Sequence, residues 1–378
     1  MNDLINIGII IGGRSVESEI SLISGSQAYL NLDDTKYNKI IFYLDKDNKM
    51  YVGKCLENIE TFKNNNFTNL EEVSLRNINK QVYYYKMKKT KKLYPVDVFI
   101  PVVHGYGIED GTVQAYLDMF DATYTTSSLI SSATIQDKTL TKSLLDKYKI
   151  NNVEYQILLS EKDEITLEYP FIIKPAYLGS SIGIEVVKTK DELEEKLHNA
   201  FKYSNKVLVE KYIENYKEYN CAVIKNKDEY ISSSIEEVLH TKDILSFIDK
   251  YEDNNKMSSS TNRIIPANIS DELNKKIKDL SIYIYKIFNL NGVVRVDYLY
   301  DTKEDVLYVN EINNIPGSLS FYLFEPLNRT FTKLLDILIY NAIYEKHKKD
   351  PLWCTFHHDA AVSGCLRWGC SRTGGDRK

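Results

Sequence analysis

Arg295-Val296-Asp297 and, a short way downstream, Glu311-Ile312-Asn313-Asn314-Ile315-Pro316-Gly317 decide how this chain folds and what it can hold. Side chains of a strand alternate between faces, so Arg295 and Asp297 point one way, and Glu311 and Asn313 can share that face from a second strand. The intervening Asp301-Thr302-Lys303-Glu304-Asp305 has turn chemistry, which predicts a hairpin. Two carboxylates, an amide oxygen and a guanidinium then lie on one surface. All-oxygen donors suit a hard cation such as Mg²⁺, which usually sits between carboxylates and substrate phosphates. A surface hairpin of solvated charges is the alternative that these residues alone leave open.

The 378 residues are more than one hydrophobic core usually organises, so two or three subdomains are expected. A composition of 43% hydrophobic and 27% charged residues, with 8 prolines, is that of a soluble globular protein. A net charge of -5 with no basic block argues against nucleic acid as a partner. No apolar run reaches the roughly 18 residues of a membrane span, and Met1-Asn2-Asp3-Leu4 lacks a basic leader, so no membrane association and a cytoplasmic location are expected. Cys55 and Cys221 show no metal spacing and read as reduced structural thiols. From Asp350 the composition changes, with Trp353, Cys354, His357, His358, Cys365, Trp368 and Cys370 in a stretch without apolar periodicity. No Cys-x-x-Cys pair supports a zinc site there. Residues 350–378 therefore read as a non-native or disordered tail outside the fold.

Leu4–Ile11 is a continuous apolar run ending at Gly12-Gly13, the pattern of a buried parallel strand followed by a tight turn. Ser15 and Glu17, placed as caps, open a helix to about Leu30. Ile40–Leu44 and Val96–Val103 read as strands and Thr112–Phe120 as a helix. Residues 54–92 are polar and irregular, with a strand at Tyr83–Tyr85. Residues 1–127 thus read as an open parallel α/β unit. One helix is expected over Ser131–Tyr148. Strands at Tyr169–Lys174, Ile184–Val187 and Val207–Tyr212 surround a helix at Asp191–Phe201, giving an α+β unit over 128–213. Strands at Tyr219–Val223 and Ile231–Val238, a polar loop over 240–262, a helix at Ser270–Phe288, the hairpin and a last helix at Thr330–Tyr344 make a third unit, 214–347.

Gly179-Ser180-Ser181-Ile182-Gly183 lies between two of these strands. Small residues there let backbone N–H groups close on anionic oxygens, and two hydroxyls add donors; an ordinary turn is the alternative. Lys174, at the end of an apolar strand just before this loop, is placed to act as a point charge over phosphates. The chain has no P-loop, and Gly12-Gly13 is not a dinucleotide fingerprint. A phosphate loop with a downstream carboxylate and amide site points to a nucleotide held between two subdomains.

In order, Gly12–Leu22, His104-Gly105-Tyr106-Gly107-Ile108-Glu109-Asp110-Gly111-Thr112, Asp137-Lys138, Lys174-Pro175 with the 179–183 loop, Glu210-Lys211, Arg295-Val296-Asp297 and Glu311–Gly317 resemble the motifs of the ATP-grasp superfamily. Within it they resemble those of the D-alanine–D-alanine ligases, over residues 5–325. The resemblance implies an ATP-grasp fold of three subdomains, α/β and α+β. It implies ATP-dependent, ADP-forming ligation of two D-alanines through D-alanyl phosphate for peptidoglycan synthesis, by a homodimer. D-serine, or another amino or hydroxy acid, is the alternative second substrate. By the same resemblance Lys138 and Lys174 neutralise the ATP phosphates beneath Gly179, Ser180, Ser181 and Gly183. Glu210, Lys211 and Ile213 meet the adenine, Glu218 the ribose, and Asp297, Glu311 and Asn313 hold two Mg²⁺ ions, with Mn²⁺ as a substitute. Arg295 and the Gly317 N–H form an oxyanion hole, Glu17 takes the ammonium of the first D-amino acid, and His104 lies near the second substrate. Lys250 and Tyr251 resemble the end of the family's mobile lid, which closes a Glu17–Ser180–Tyr251 triad. The chain departs from the family pattern at Leu245–Asp249 and after Gly317, where Ser318, Ser320 and Tyr322 are candidate donors to the second substrate's carboxylate.

Overall fold

The computed structural model describes residues 4–64, 67–239 and 263–354. Strands β1 (Ile5–Gly12), β2 (Tyr37–Leu44), β3 (Met50–Val52), β4 (Glu71–Ile78), β5 (Gln81–Lys86), β6 (Lys89–Val96) and β7 (Val98–Pro101) form one sheet in the order β6-β5-β4-β3-β2-β1-β7. Ile7, Ile9, Ile10 and Ile11 are wholly buried, as a strand covered on both faces requires. The sheet is parallel only across β2-β1-β7. From β2 to β6 it continues as an antiparallel meander, so the expected open parallel sheet is mixed. The polar stretch expected to be irregular apart from Tyr83–Tyr85 supplies β4, β5 and half of β6. Exposed Lys89, Lys91 and Lys92 suit β6 to the sheet edge, where charge discourages pairing with another chain.

A second sheet, in the order β10-β9-β11-β8, contains β8 (Tyr155–Leu158), β9 (Phe171–Pro175), β10 (Glu185–Val187) and β11 (Val207–Lys211). A third, in the order β14-β13-β12-β15-β16, contains β12 (Tyr216–Asn226), β13 (Glu229–Val238), β14 (Arg263–Ile264), β15 (Val294–Asp301) and β16 (Val306–Asn313). The helix expected over Ser131–Tyr148 is two helices, Leu129–Gln136 and Lys138–Lys147. Asp137 breaks it: its backbone is extended, and its carboxylate accepts the Thr139 and Leu140 N–H groups as the cap of the second helix.

The helix Phe331–Cys354 runs past the expected end at Tyr344. Its Leu334, Leu335, Leu338 and Ile339 join the core of the first sheet, together with Ile315, Leu319, Leu323 and Phe324. The segment after the hairpin is thereby packed against the N-terminal unit. Lys250, Tyr251, the rest of 240–262, and 355–378 lie outside the described residues. Among the described residues no helix is long and apolar enough to cross a membrane.

Candidate active site

β15 and β16 form the expected hairpin, pairing antiparallel with Asp297 opposite Glu311 and Arg295 opposite Asn313. Arg295 grips Asp297 with a two-pronged fork, Nε to Oδ1 and Nη2 to Oδ2, each at 2.6 Å. Asn313 Nδ2 adds a third bond to Oδ2 at 2.8 Å. Burial pushes the Asp297 carboxyl up to about 7; Arg295 works against that rise, while Glu311 and Glu218 add to it. Carboxylates that repel one another, beside an amide, are a donor set that fits a hard divalent cation. Among the described residues no group of three or more His, Cys, Asp or Glu has metal-binding placement, so that fit rests on Asp297, Glu311 and Asn313 together.

Glu311, Asn313, Arg295 and Gly317 form one wall of a cleft of about 910 Å³, open mouth included. Glu17, His104 and Glu109 line it from the N-terminal unit, and Lys138, Gly179 and Ser180 from the centre. Glu17 occupies the cap position of the helix Ser18–Asn31 but makes no capping bond. Its carboxylate instead accepts the Ser180 hydroxyl across the cleft. Gly105 has a φ of +87°, and a side chain there would come within 2.6 Å of Glu17 Oε2. Ser180 and Ser181 adopt φ of 52° and 61°, so the glycine–serine loop is held in the left-handed region. At Gly183 a side chain would meet Pro175 at 2.8 Å, which keeps the end of the loop on the strand that carries Lys174.

The two lysines expected at the phosphates come from different elements. Lys138 opens its helix and donates from Nζ to Leu178 O at 2.6 Å, lining the cleft. Lys174, on β9, shares a sheet face with Glu210 on β11. Its Nζ lies 2.5 Å from Glu210 Oε2 and 3.2 Å from Asn310 Oδ1, tying the second sheet to β16. Lys142 approaches the other Glu210 oxygen at 2.7 Å; Lys142 and Glu210 are each 2% exposed. Burial alone would raise the Glu210 carboxyl, but the two ammoniums overcome it and hold it at about 2.

Not every predicted residue reaches the cleft. Glu210 turns inward between its lysines, Lys211 is exposed at the end of β11, and Ile213 is half-buried just beyond. Glu218 lies on β12, within electrostatic range of Asp297. Ser320 is wholly buried, and the Tyr322 hydroxyl donates to Glu236 Oε2 at 3.4 Å. Three residues were not singled out by sequence reasoning: Ser24, Glu109 and Lys142. Glu109 was visible only as part of the His104 loop. Lys142 lies one helical turn after Lys138 on the same helix.

His104 is buried, and burial lowers its imidazole to about 4, with a backbone hydrogen bond to Ile315 acting the other way. Burial pushes the Glu109 carboxyl up to about 8, opposed by the Gly105 N–H and reinforced by the charge of Glu17.

Lysines and a small-residue loop over one sheet, facing an acidic hairpin on the next, define a ligase of the ATP-grasp class. Residues 6–127 match the family model "D-ala D-ala ligase N-terminus" and residues 144–340 match "D-ala D-ala ligase C-terminus". The chain is 39% identical over 349 residues to the D-alanine–D-alanine ligase of Thermosipho melanesiensis, covering 89% of this chain and 93% of that one. It is 34% identical over 366 residues to that of Caldicellulosiruptor bescii, covering 92% and 98%. The solved D-alanine–D-alanine ligase of Coxiella burnetii shares the fold with a TM-score of 0.79 at 24% identity, over 93% of this chain and 98% of that one. A D-Ala:D-Ser ligase of Enterococcus faecalis follows with a TM-score of 0.75 at 27% identity, over 90% and 100%. The chain belongs to the D-alanine–D-alanine ligase family.

Proposed function

We propose that the chain joins two D-alanines into D-alanyl-D-alanine, with ATP as co-substrate, for peptidoglycan synthesis. One observation carries this reading. The Ser180–Glu17 contact brings the glycine–serine loop onto the N-terminal carboxylate, across a cleft whose far wall is Arg295, Glu311, Asn313 and Gly317. A single small cleft thus offers an anion for an ammonium, the Lys138 ammonium for phosphates, and donors for a developing oxyanion.

Glu17 receives the ammonium of the first D-alanine. Lys138 and Lys174 hold the triphosphate under Gly179–Gly183, while the base lies along Lys211 and Ile213, beyond the buried Glu210, and the ribose near Glu218. Mg²⁺ held by Asp297, Glu311 and Asn313 would supply Lewis-acid stabilisation of charge on the transferring phosphoryl group. A carboxylate oxygen of the first D-alanine attacks the γ-phosphorus, and the bond to ADP breaks. The second D-alanine's amine then attacks the acyl carbon of D-alanyl phosphate, and inorganic phosphate leaves with the acyl–oxygen electron pair and takes up the proton that the amine loses. Arg295 and the Gly317 N–H stabilise the oxyanion between those events. Acylphosphates hydrolyse readily, so closure by 240–262, with Lys250 and Tyr251, belongs to the same proposal. So do subdomains at 1–127, 128–213 and 214–347, and a cytoplasmic homodimer.

The test is to incubate the protein with ATP, Mg²⁺, D-alanine and a panel of D-serine, D-lactate and L-alanine, identifying products by mass. D-alanyl-D-alanine with one ADP per dipeptide is expected. Formation of D-alanyl-D-serine or a depsipeptide in its place would overturn the assignment of the second substrate, and ADP release without any product would overturn the ligation itself.

A further inference from the structure

We propose that Ser24, His104 and Glu109 are positioning residues that aim the Gly317 N–H at the oxyanion; this rests on the reaction proposed above. The turn that carries Gly317 is strained. Ser318, Leu319 and Ser320 have φ of 51°, 49° and 45°, a region that residues with side chains rarely enter. Consecutive residues in such a conformation persist only where their surroundings over-determine it. Within the turn, Leu319 N–H bonds to Pro316 O at 2.8 Å, which closes the loop without orienting it.

Orientation comes from the N-terminal unit. Glu109 Oε1 accepts the Ile315 N–H at 2.9 Å, while Oε2 accepts the Gly105 N–H at 2.8 Å. His104 approaches the Ile315 backbone as well, near enough to act on its imidazole. On the other side of Gly317, Ser24 Oγ accepts the Ser318 N–H at 2.9 Å. Both flanks of the glycine are therefore pinned by side chains anchored around β1 and β7. Ser24 and His104 are 1% and 4% exposed, so water does not compete for these bonds. Gly317 has no atom within 4 Å of where a side chain would project, so its position is set by these flanks and not by packing against it.

Ser24 Oγ lies 3.3 Å from His104 Nε2 while it accepts the Ser318 N–H, so the helix, the ring and the turn are joined through one hydroxyl. Burial keeps the ring neutral at neutral pH. His104 acts as a strut between a helix and a strained turn.

Three variants and one spectrum test this in the full-length protein. Ser24→Ala should lower kcat about tenfold to a hundredfold, below the loss from deleting an oxyanion donor outright. The KM for ATP should stay within about twofold and the melting temperature should hardly move. His104→Gln, which keeps a hydrogen-bonding strut, should retain far more turnover than His104→Ala. ¹⁵N NMR of the wild type should show a neutral His104 ring with no titration across neutral pH. A Ser24→Ala enzyme with wild-type kcat, a His104→Gln variant as inactive as His104→Ala, or a ring that titrates across neutral pH would each overturn the proposal. A wild-type enzyme that makes no dipeptide would instead sink the reaction on which it rests.

Discussion

Glu210→Gln is the substitution whose cost the structure defines best. Burial would raise this carboxyl, yet Lys142 and Lys174 hold it at about 2, against an ordinary 4.5. That displacement corresponds to about 3 kcal/mol of folding free energy at neutral pH. The glutamine variant also leaves two buried ammoniums facing each other, so the loss should reach about 3–5 kcal/mol. Lys142→Met should cost less, about 1–2 kcal/mol. Burial already pulls the Lys142 ammonium below its ordinary value, so methionine removes a desolvation cost along with the ion pair. Lys174 still holds Glu210 in that variant. Amide hydrogen exchange on β9 and β11 reads the local opening energy without requiring the whole chain to unfold in one step. The folded carboxyl titrates below its unfolded counterpart. Its stabilisation is therefore complete above about pH 4.5 and is lost as pH falls toward 2, so wild type and Glu210→Gln should converge over that window. The reasoning fails if Lys142→Met proves as damaging as Glu210→Gln, or if the gap between wild type and Glu210→Gln does not narrow on acidification.

Other outcomes follow from single contacts. Asp137→Ala removes the cap of the helix Lys138–Lys147 and the 2.5 Å ion pair to Lys206. It should cost about 1–2 kcal/mol by thermal melt and raise the KM for ATP through Lys138. Glu311→Gln should raise the Mg²⁺ concentration for half-maximal rate about tenfold or more. Arg295→Met should lower kcat about a hundredfold with little change in Mg²⁺ demand, and equal mild effects from both would return the hairpin to solvated surface charge. Deleting residues 355–378 should leave turnover within about twofold of the full chain in the same assay.

Much of this was legible because β-strand alternation is a local rule. The hairpin, and the shared face of Arg295, Asp297, Glu311 and Asn313, could be read directly from residues 295–317. The misreadings have physical causes. β4 and β6 carry exposed polar residues that mask their periodicity, whereas β5 contains the strand expected at Tyr83–Tyr85. Asp137 ended a helix because its side chain competed for backbone N–H groups, which an apolar count does not register. Glu17 looked like a cap and sits at the cap position, but its carboxylate is drawn across the cleft to Ser180. Lys142 and Glu109 were hidden for a common reason. Each matters through a partner far away in sequence, Glu210 and Ile315 respectively, and only the fold brings those partners within reach.

The same long-range placement gives the N-terminal wall of the cleft an unusual charge state. Glu17 and Glu109 both line it, and burial together with the Glu17 charge lifts the Glu109 carboxyl to about 8 despite the opposing Gly105 N–H. At pH 7 Glu109 is therefore mostly protonated in the unliganded cleft. Both its oxygens can still accept the backbone N–H groups they hold. An ammonium arriving beside Glu17 adds positive charge next to Glu109 and favours its ionised form. D-alanine binding should accordingly release up to about one proton near pH 7, and less at pH 5, where Glu109 stays protonated throughout. Calorimetric titration of D-alanine in buffers of different ionisation enthalpy measures that proton count directly. Glu109→Gln should abolish the release while Glu17 still binds the ammonium. A wild-type titration with no proton exchange at pH 7, or one whose release survives Glu109→Gln, would mean that the charge excess on this wall is balanced elsewhere.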